Sequence, residues 1–115
     1  MHEMTKRTAI PAKVKAAVAL RDTRDGYCCC VVCGSHNAHP NAHIVRRSQG
    51  GMGVEQNIVS LCPECHYAFD EGIGLNRLKP LGFFTKLDIE DHIVSYIKGI
   101  YPDWTREGVT YSKWK

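Results

Sequence analysis

The sequence predicts an α+β fold in which two helices flank a small strand–turn–strand–helix unit. Three observations predict it. Two Cys-x-x-Cys pairs, Cys30–Cys33 and Cys62–Cys65, stand 28 residues apart. Apolar residues recur at helical spacing near both ends of the chain. Between and after the cysteine pairs, short apolar runs alternate with glycine-rich and polar turns before a proline-started helix.

With 115 residues, 43% hydrophobic and 23% charged, the chain has the size and composition of one globular domain, expected over residues 1–115. A core this small is commonly supplemented by a metal or a partner. There is no run of 18 apolar residues and no basic-then-apolar leader, so a cytoplasmic, reducing setting is expected. The net charge of +3 is unevenly spread: residues 1–53 carry eight Lys and Arg against three acids, and the remainder carries seven against nine. A basic front half suits a polyanionic partner.

Residues 1–8 are polar and expected to be loose. Helical periodicity then runs over about 11–22, with Ile10, Val14, Ala17, Val18 and Arg21 on one stripe, Pro11 at its start and Gly26 as its stop. Lys13, Lys15 and Arg24 lie off that stripe, on a solvated or phosphate-facing side. Tyr27 to Cys33 reads as a short strand entering the first cysteine turn. Residues 35–41 read as a polar loop holding His36, His39 and Pro40. A strand is expected over His43 to Arg46, then a turn over residues 48–53 whose three glycines can take positive φ. Ile58 to Leu61 is the returning strand, and a helix opens at Pro63, carries His66 and stops near Gly72. Residues 72–82 read as irregular. Thr85 with Asp88 forms a capping pair for a helix over about 86–101, whose apolar face is Ile89, Ile93, Tyr96, Ile97 and Ile100. The tail holds Trp104, Tyr111 and Trp114 without an interpretable pattern.

The cysteine pairs carry the clearest chemistry. Small disulfide scaffolds scatter their cysteines to close long loops, whereas pairs two residues apart each present two thiolates to one tetrahedral Zn²⁺. A closed four-thiolate shell of Cys30, Cys33, Cys62 and Cys65 leaves no open position, so the zinc is structural. Cys29 with Cys33 would leave a gap of three, so Cys28 and Cys29 are assigned to packing or to free thiols.

Around this frame stand His43-Ile-Val-Arg-Arg-Ser-Gln-Gly-Gly51, Asn57-Ile-Val-Ser-Leu-Cys62 and Cys65-His66-Tyr-Ala-Phe-Asp70. In these residues the sequence resembles the HNH endonucleases, over about 27–72. The resemblance implies a ββα-metal (His-Me finger) core. It implies His43 as general base, Asn57 as the residue that holds the hairpin, and His66 as a ligand of a catalytic divalent ion. Phosphodiester hydrolysis needs an activated water and neutralised phosphate charge, which an imidazole and a divalent cation supply. Asp70 lies four residues after His66, on the same helix face, and a carboxylate there favours Mg²⁺ or Mn²⁺, with Zn²⁺ or Ni²⁺ as alternatives. Arg46 and Arg47 are assigned to phosphate contact on DNA.

One position departs from the family pattern. A metal-binding His or Asp customarily precedes the base, and here that residue is Ala42, which cannot ligate. The ion then falls to His66, Asp70, water and phosphate, or His39 or Asn41 supplies a substitute. The resemblance further implies a phage or prophage setting, with DNA and a packaging terminase as partners and the host cytoplasm as location. The competing reading is a zinc-stabilised DNA-binding module with little or no nuclease activity.

Overall fold

The computed structural model describes residues 3–112; Trp114 lies outside the described residues. The chain runs through α1 (Glu3–Thr8), α2 (Ala12–Arg21), β1 (Thr23–Arg24), β2 (Tyr27–Cys28), β3 (His39–His43), β4 (Ile58–Leu61), α3 (Pro63–Glu71) and α4 (Lys86–Ile100). Two antiparallel pairs form, β1 with β2 and β3 with β4. This is the expected α+β arrangement, and β3, β4 and α3 are its ββα unit. No helix among the described residues is long and apolar enough to cross a membrane.

Local chemistry accounts for most of the boundaries. Pro11 occupies the position before α2, where its missing N–H costs nothing. Gly26 does not end that helix, as the sequence suggested. Asp22 caps it, and Gly26 (φ 85°) joins Asp25 (φ 52°) in the two-residue turn of the β1–β2 hairpin, the backbone sense that matches strand twist. α3 ends at Gly72 in the left-handed conformation (φ 71°). At the start of α4 the Thr85 side chain accepts from the Asp88 N–H, while the Asp88 carboxylate accepts from the Thr85 N–H at 2.9 Å, a complete capping box.

Three segments differ from expectation for long-range reasons. Residues 3–8 are helical, and Thr8 is only 2% exposed. The strand expected over Tyr27 to Cys33 stops at Cys28, because the chain must reverse for Cys30 and Cys33 to face one point; Cys30 N–H donates to the Ser35 carbonyl within that turn. The strand expected over His43 to Arg46 lies earlier, at His39–His43, with an irregularity between His39 and Ala42 in its pairing with β4. Beyond His43 no strand backbone faces Val45. The buried Asn57 side chain serves instead, its Oδ1 accepting from Val45 N–H at 2.8 Å and its Nδ2 donating to Val45 O at 3.1 Å. The segment read as irregular contains a 3₁₀ turn, Leu75–Leu81.

Of the three glycines in the turn after β3, only Gly50 has positive φ (87°). Gly51 is needed for space: a Cβ there would stand 1.6 Å from the Val45 carbonyl oxygen. The tail, featureless in sequence, packs along this turn, with Met52 N–H donating to Val109 O and Tyr111 N–H to Gly50 O.

The main core joins Val59 and Leu61 of β4, Ala68 and Phe69 of α3, and Ile89, Ile93 and Ile97 of α4, with Trp104 at its edge. Ile100, expected on the same face, is 41% exposed at the helix end. A second cluster packs Val14 and Val18 of α2 against Ile58. Asp22, 2% exposed, ties these layers together. It pairs with Arg21 at 2.9 Å, accepts from Tyr96 Oη at 2.5 Å and from Ser60 N–H at 3.0 Å, while Arg21 also reaches the Ile58 and Glu55 carbonyls at 2.7 Å. Burial and the Asp22 hydrogen bond push the Tyr96 hydroxyl up to about 12.

Candidate metal centre and catalytic cleft

The four cysteines come together from two turns. Cys30 and Cys33 flank the reversal after β2, and Cys62 and Cys65 sit where β4 passes into α3. Cys62 is also the N-cap of α3, its sulfur accepting from the Cys65 N–H at 3.4 Å. The Cys30 sulfur accepts from the Cys33 N–H at 3.5 Å in the matching position of the other turn. All four sulfurs lie within 4.8 Å of one another, and Cys33 and Cys62 are 3.7 Å apart. Zinc–sulfur bonds of about 2.3 Å give a tetrahedron whose edges are roughly 3.8 Å. The donor set and its spacing therefore fit a structural zinc site, and none of the cysteines is disulfide-bonded.

The thiols compete for one negative charge: Cys30 takes it, and the Cys65 thiol, which donates to it, is pushed up. A hydrogen bond from the Cys65 thiol holds Cys30 down at about 4, and burial pushes Cys62 up to about 11. Arg77 directs a guanidinium N–H toward the Cys65 sulfur at 3.5 Å, offsetting negative charge on the cluster. Cys28 and Cys29 take no part. The Cys28 thiol meets Ser60 Oγ at 3.3 Å and the Cys29 thiol donates to the Tyr27 carbonyl at 3.3 Å. Cys30 is thus the partner of Cys33, as the spacing predicted.

Beside this centre lies an open cleft of about 400 Å³ lined by His43, Arg46, Arg47, Ser48, His66, Asp70 and Glu71. β3 delivers His43 from one side and α3 delivers His66 and Asp70 from the other. His66 Nε2 and Asp70 Oδ2 are 3.0 Å apart on successive turns of α3, with side chains 30% and 37% exposed. An imidazole and a carboxylate at this spacing fit a divalent cation with water or substrate completing its shell. Among the described residues, the only cluster of three or more such donors is the four-cysteine one. His43 is half-buried, and its Nε2 lies 2.8 Å from the Thr8 carbonyl. Burial lowers its pKa, with Arg47 adding to the effect and the Thr8 carbonyl opposing it.

The other predicted residues occupy distinct places. Asn57 is fully buried and also donates to the Met52 carbonyl at 2.9 Å, so it shapes the loop after His43 and lies beneath the cleft surface. Arg46 and Arg47 are exposed at the rim. Arg46 donates to the Asp70 carbonyl at 2.6 Å, where Lys86 also donates at 2.9 Å, so both cations meet the C-terminal end of α3. Ala42 faces inward and is fully buried. His39 and Asn41 line an adjoining cleft of about 330 Å³ that shares His66, Asp70 and Glu71. Thr8, which reaches both His43 and Arg47, carries no sequence signal, because its contacts arise only from the tertiary path of α1.

The HNH endonuclease family model matches residues 30–68, a segment that includes all four cysteines, His43, Asn57 and His66. Anaredoxin of Nostoc sp. is 39% identical over 44 residues. The aligned region is 37% of this chain and 58% of that protein, so the chain spans little more than half the length of that curated relative. No solved structure matches the chain. The family match and the cysteine cluster together mark residues 30–68 as an HNH-like segment with a candidate metal-binding frame.

Proposed function

We propose that the protein is a metal-dependent DNA endonuclease hydrolysing phosphodiester bonds, by nicking or by double-strand cleavage. The observation that carries this reading is the single cleft lined by His43, His66, Asp70 and two arginines beside the cysteine centre. His43 takes the proton of the attacking water, and its lowered pKa keeps it neutral and competent below the usual imidazole range. His66 and Asp70 hold the divalent ion, Mg²⁺ or Mn²⁺, which when bound supplies Lewis acidity toward the phosphate and the leaving oxygen. Arg46 and Arg47 fix the phosphate at the rim without reading bases. Asn57 acts as a positioning residue, holding the loop that follows the base.

Nicking of supercoiled plasmid with Mg²⁺ or Mn²⁺, comparing wild type with His43→Ala, tests the reading. Activity that survives His43→Ala removes the base assignment. One observation favours a second reading, a zinc-stabilised DNA-binding module: Ala42 is buried and offers no ligand. DNA binding without cleavage under every divalent ion would select that module. In a phage setting such a nuclease would serve a packaging terminase, and stimulation of nicking by that partner is the corresponding assay.

A further inference from the structure

The segment before α2 is outside the family match, yet its buried Thr8 touches two residues that line the cleft, His43 and Arg47. The backbone carbonyl of Thr8 meets Nε2 of His43 at 2.8 Å. A carbonyl oxygen only accepts, so Nε2 carries the proton, and the lone pair of the neutral ring is left on Nδ1. The Thr8 hydroxyl accepts from Arg47 Nε at 3.3 Å and donates to the Thr5 carbonyl at 3.3 Å. One residue thus holds both the imidazole and a rim arginine.

The segment is fixed from behind as well. Gly53 N–H donates to the Arg7 carbonyl at 2.9 Å. A Cβ on Gly53 would stand 1.9 Å from the Ala9 carbonyl oxygen, so backbone packs directly on backbone and glycine alone admits the approach. Downstream, α2 is anchored by Val14 and Val18 against Ile58.

We propose that residues 5–9 form a positioning strap, in which Thr8 sets the tautomer and orientation of His43 and the reach of Arg47, making Nδ1 the proton acceptor of the cleft. The chemical meaning of the strap rests on the nuclease reading, whereas its measurement does not. Thr8 is a positioning residue, acting through His43 and Arg47.

Gly53→Ala in the full chain displaces the strap without altering a side chain of the cleft. Zinc content and the thermal transition report whether the variant is folded. Long-range ¹H–¹⁵N spectra of the wild type are expected to show His43 as a single Nε2–H tautomer. In Gly53→Ala a mixture of tautomers is expected, with turnover in plasmid nicking down roughly tenfold to hundredfold and KM little changed. Thr8→Val removes the hydroxyl and keeps the carbonyl, so it should preserve the tautomer while raising KM through Arg47, and Thr8→Ser should restore KM. Should Gly53→Ala not fold, the wild-type spectrum and the Thr8 pair decide. A wild-type proton on Nδ1, a folded Gly53→Ala with an unaltered His43 spectrum, or a Thr8→Val that behaves as wild type overturns the strap. Absence of nicking in the wild type, beside a Nε2–H tautomer that Gly53→Ala scrambles, removes the nuclease reading and leaves the strap standing.

Discussion

The cysteine centre and the histidine cleft are neighbours on one ββα unit, yet they are built by opposite rules. At the centre, Cys30, Cys62 and Cys65 are 3%, 2% and 0% exposed, and four protein donors converge. In the cleft, His66 and Asp70 are about a third exposed and stand as a pair. A closed shell of protein donors holds an ion that shapes the chain. An open pair leaves coordination positions that a substrate can share. On the proposed reading, stability and reactivity are allotted to separate groups, so each should fail separately.

The largest effect is expected at the centre. Zinc binding contributes on the order of 10–16 kcal/mol in small zinc domains, as much as the whole stability of a domain this size. Cys62→Ser, or stripping with a strong chelator, should abolish the cooperative thermal transition followed by circular dichroism. A metal-free protein that melts like the wild type would break the comparison at its root. At the cleft the reverse pattern is expected. His43→Ala should lower nicking by roughly 10²- to 10⁴-fold while leaving the melting temperature nearly in place.

Asn57 joins the two regions and should show a mixed response. Three side-chain hydrogen bonds, two of them buried, at roughly 1 kcal/mol each predict that Asn57→Ala costs about 3 kcal/mol in denaturant unfolding. Its turnover should fall as well, because the loop after His43 loses its support. Loss of turnover with unchanged stability would instead put the amide at the reacting groups. A smaller loss, about 1 kcal/mol, is expected for Thr85→Ala at the cap of α4, with nicking unaffected.

The pH dependence sharpens the same division. The pKa of His43 is lowered in the fold, so the unfolded chain binds the proton more readily. Its contribution to stability is present above the ordinary imidazole value of 6.5 and declines as pH falls through 6.5 toward the folded value. The acidic limb of the nicking profile should accordingly lie below 6.5, and His43→Ala should remove the matching slope from the pH dependence of stability. An acidic limb above 6.5 would contradict the buried environment of the imidazole.

Local signals in the sequence specify the cysteine cluster and put His66 and Asp70 on one helix face. Cys-x-x-Cys spacing, the four-residue step from His66 to Asp70 and the Thr85–Asp88 cap are each set by one turn of backbone. What sequence concealed were contacts that only folding creates. His43 and Thr8 are 35 residues apart, and Asp22 and Tyr96 are 74 apart. Periodicity places β3 too late in the chain, because a side chain, Asn57, stands in for a strand beside Val45 and leaves no trace in the pattern. Ala42 is a related case. Sequence framed it as a missing ligand, whereas the structure gives it a packing role that alanine fills.

The Arg21–Asp22 pair bears on how such a unit can be moved between proteins. Transplanting residues 30–68 alone into another scaffold would leave behind the acceptor for the Ser60 N–H and the guanidinium that reaches the Ile58 carbonyl. A working graft must therefore carry the preceding helix with it, so the smallest portable cassette begins well upstream of the first zinc cysteine.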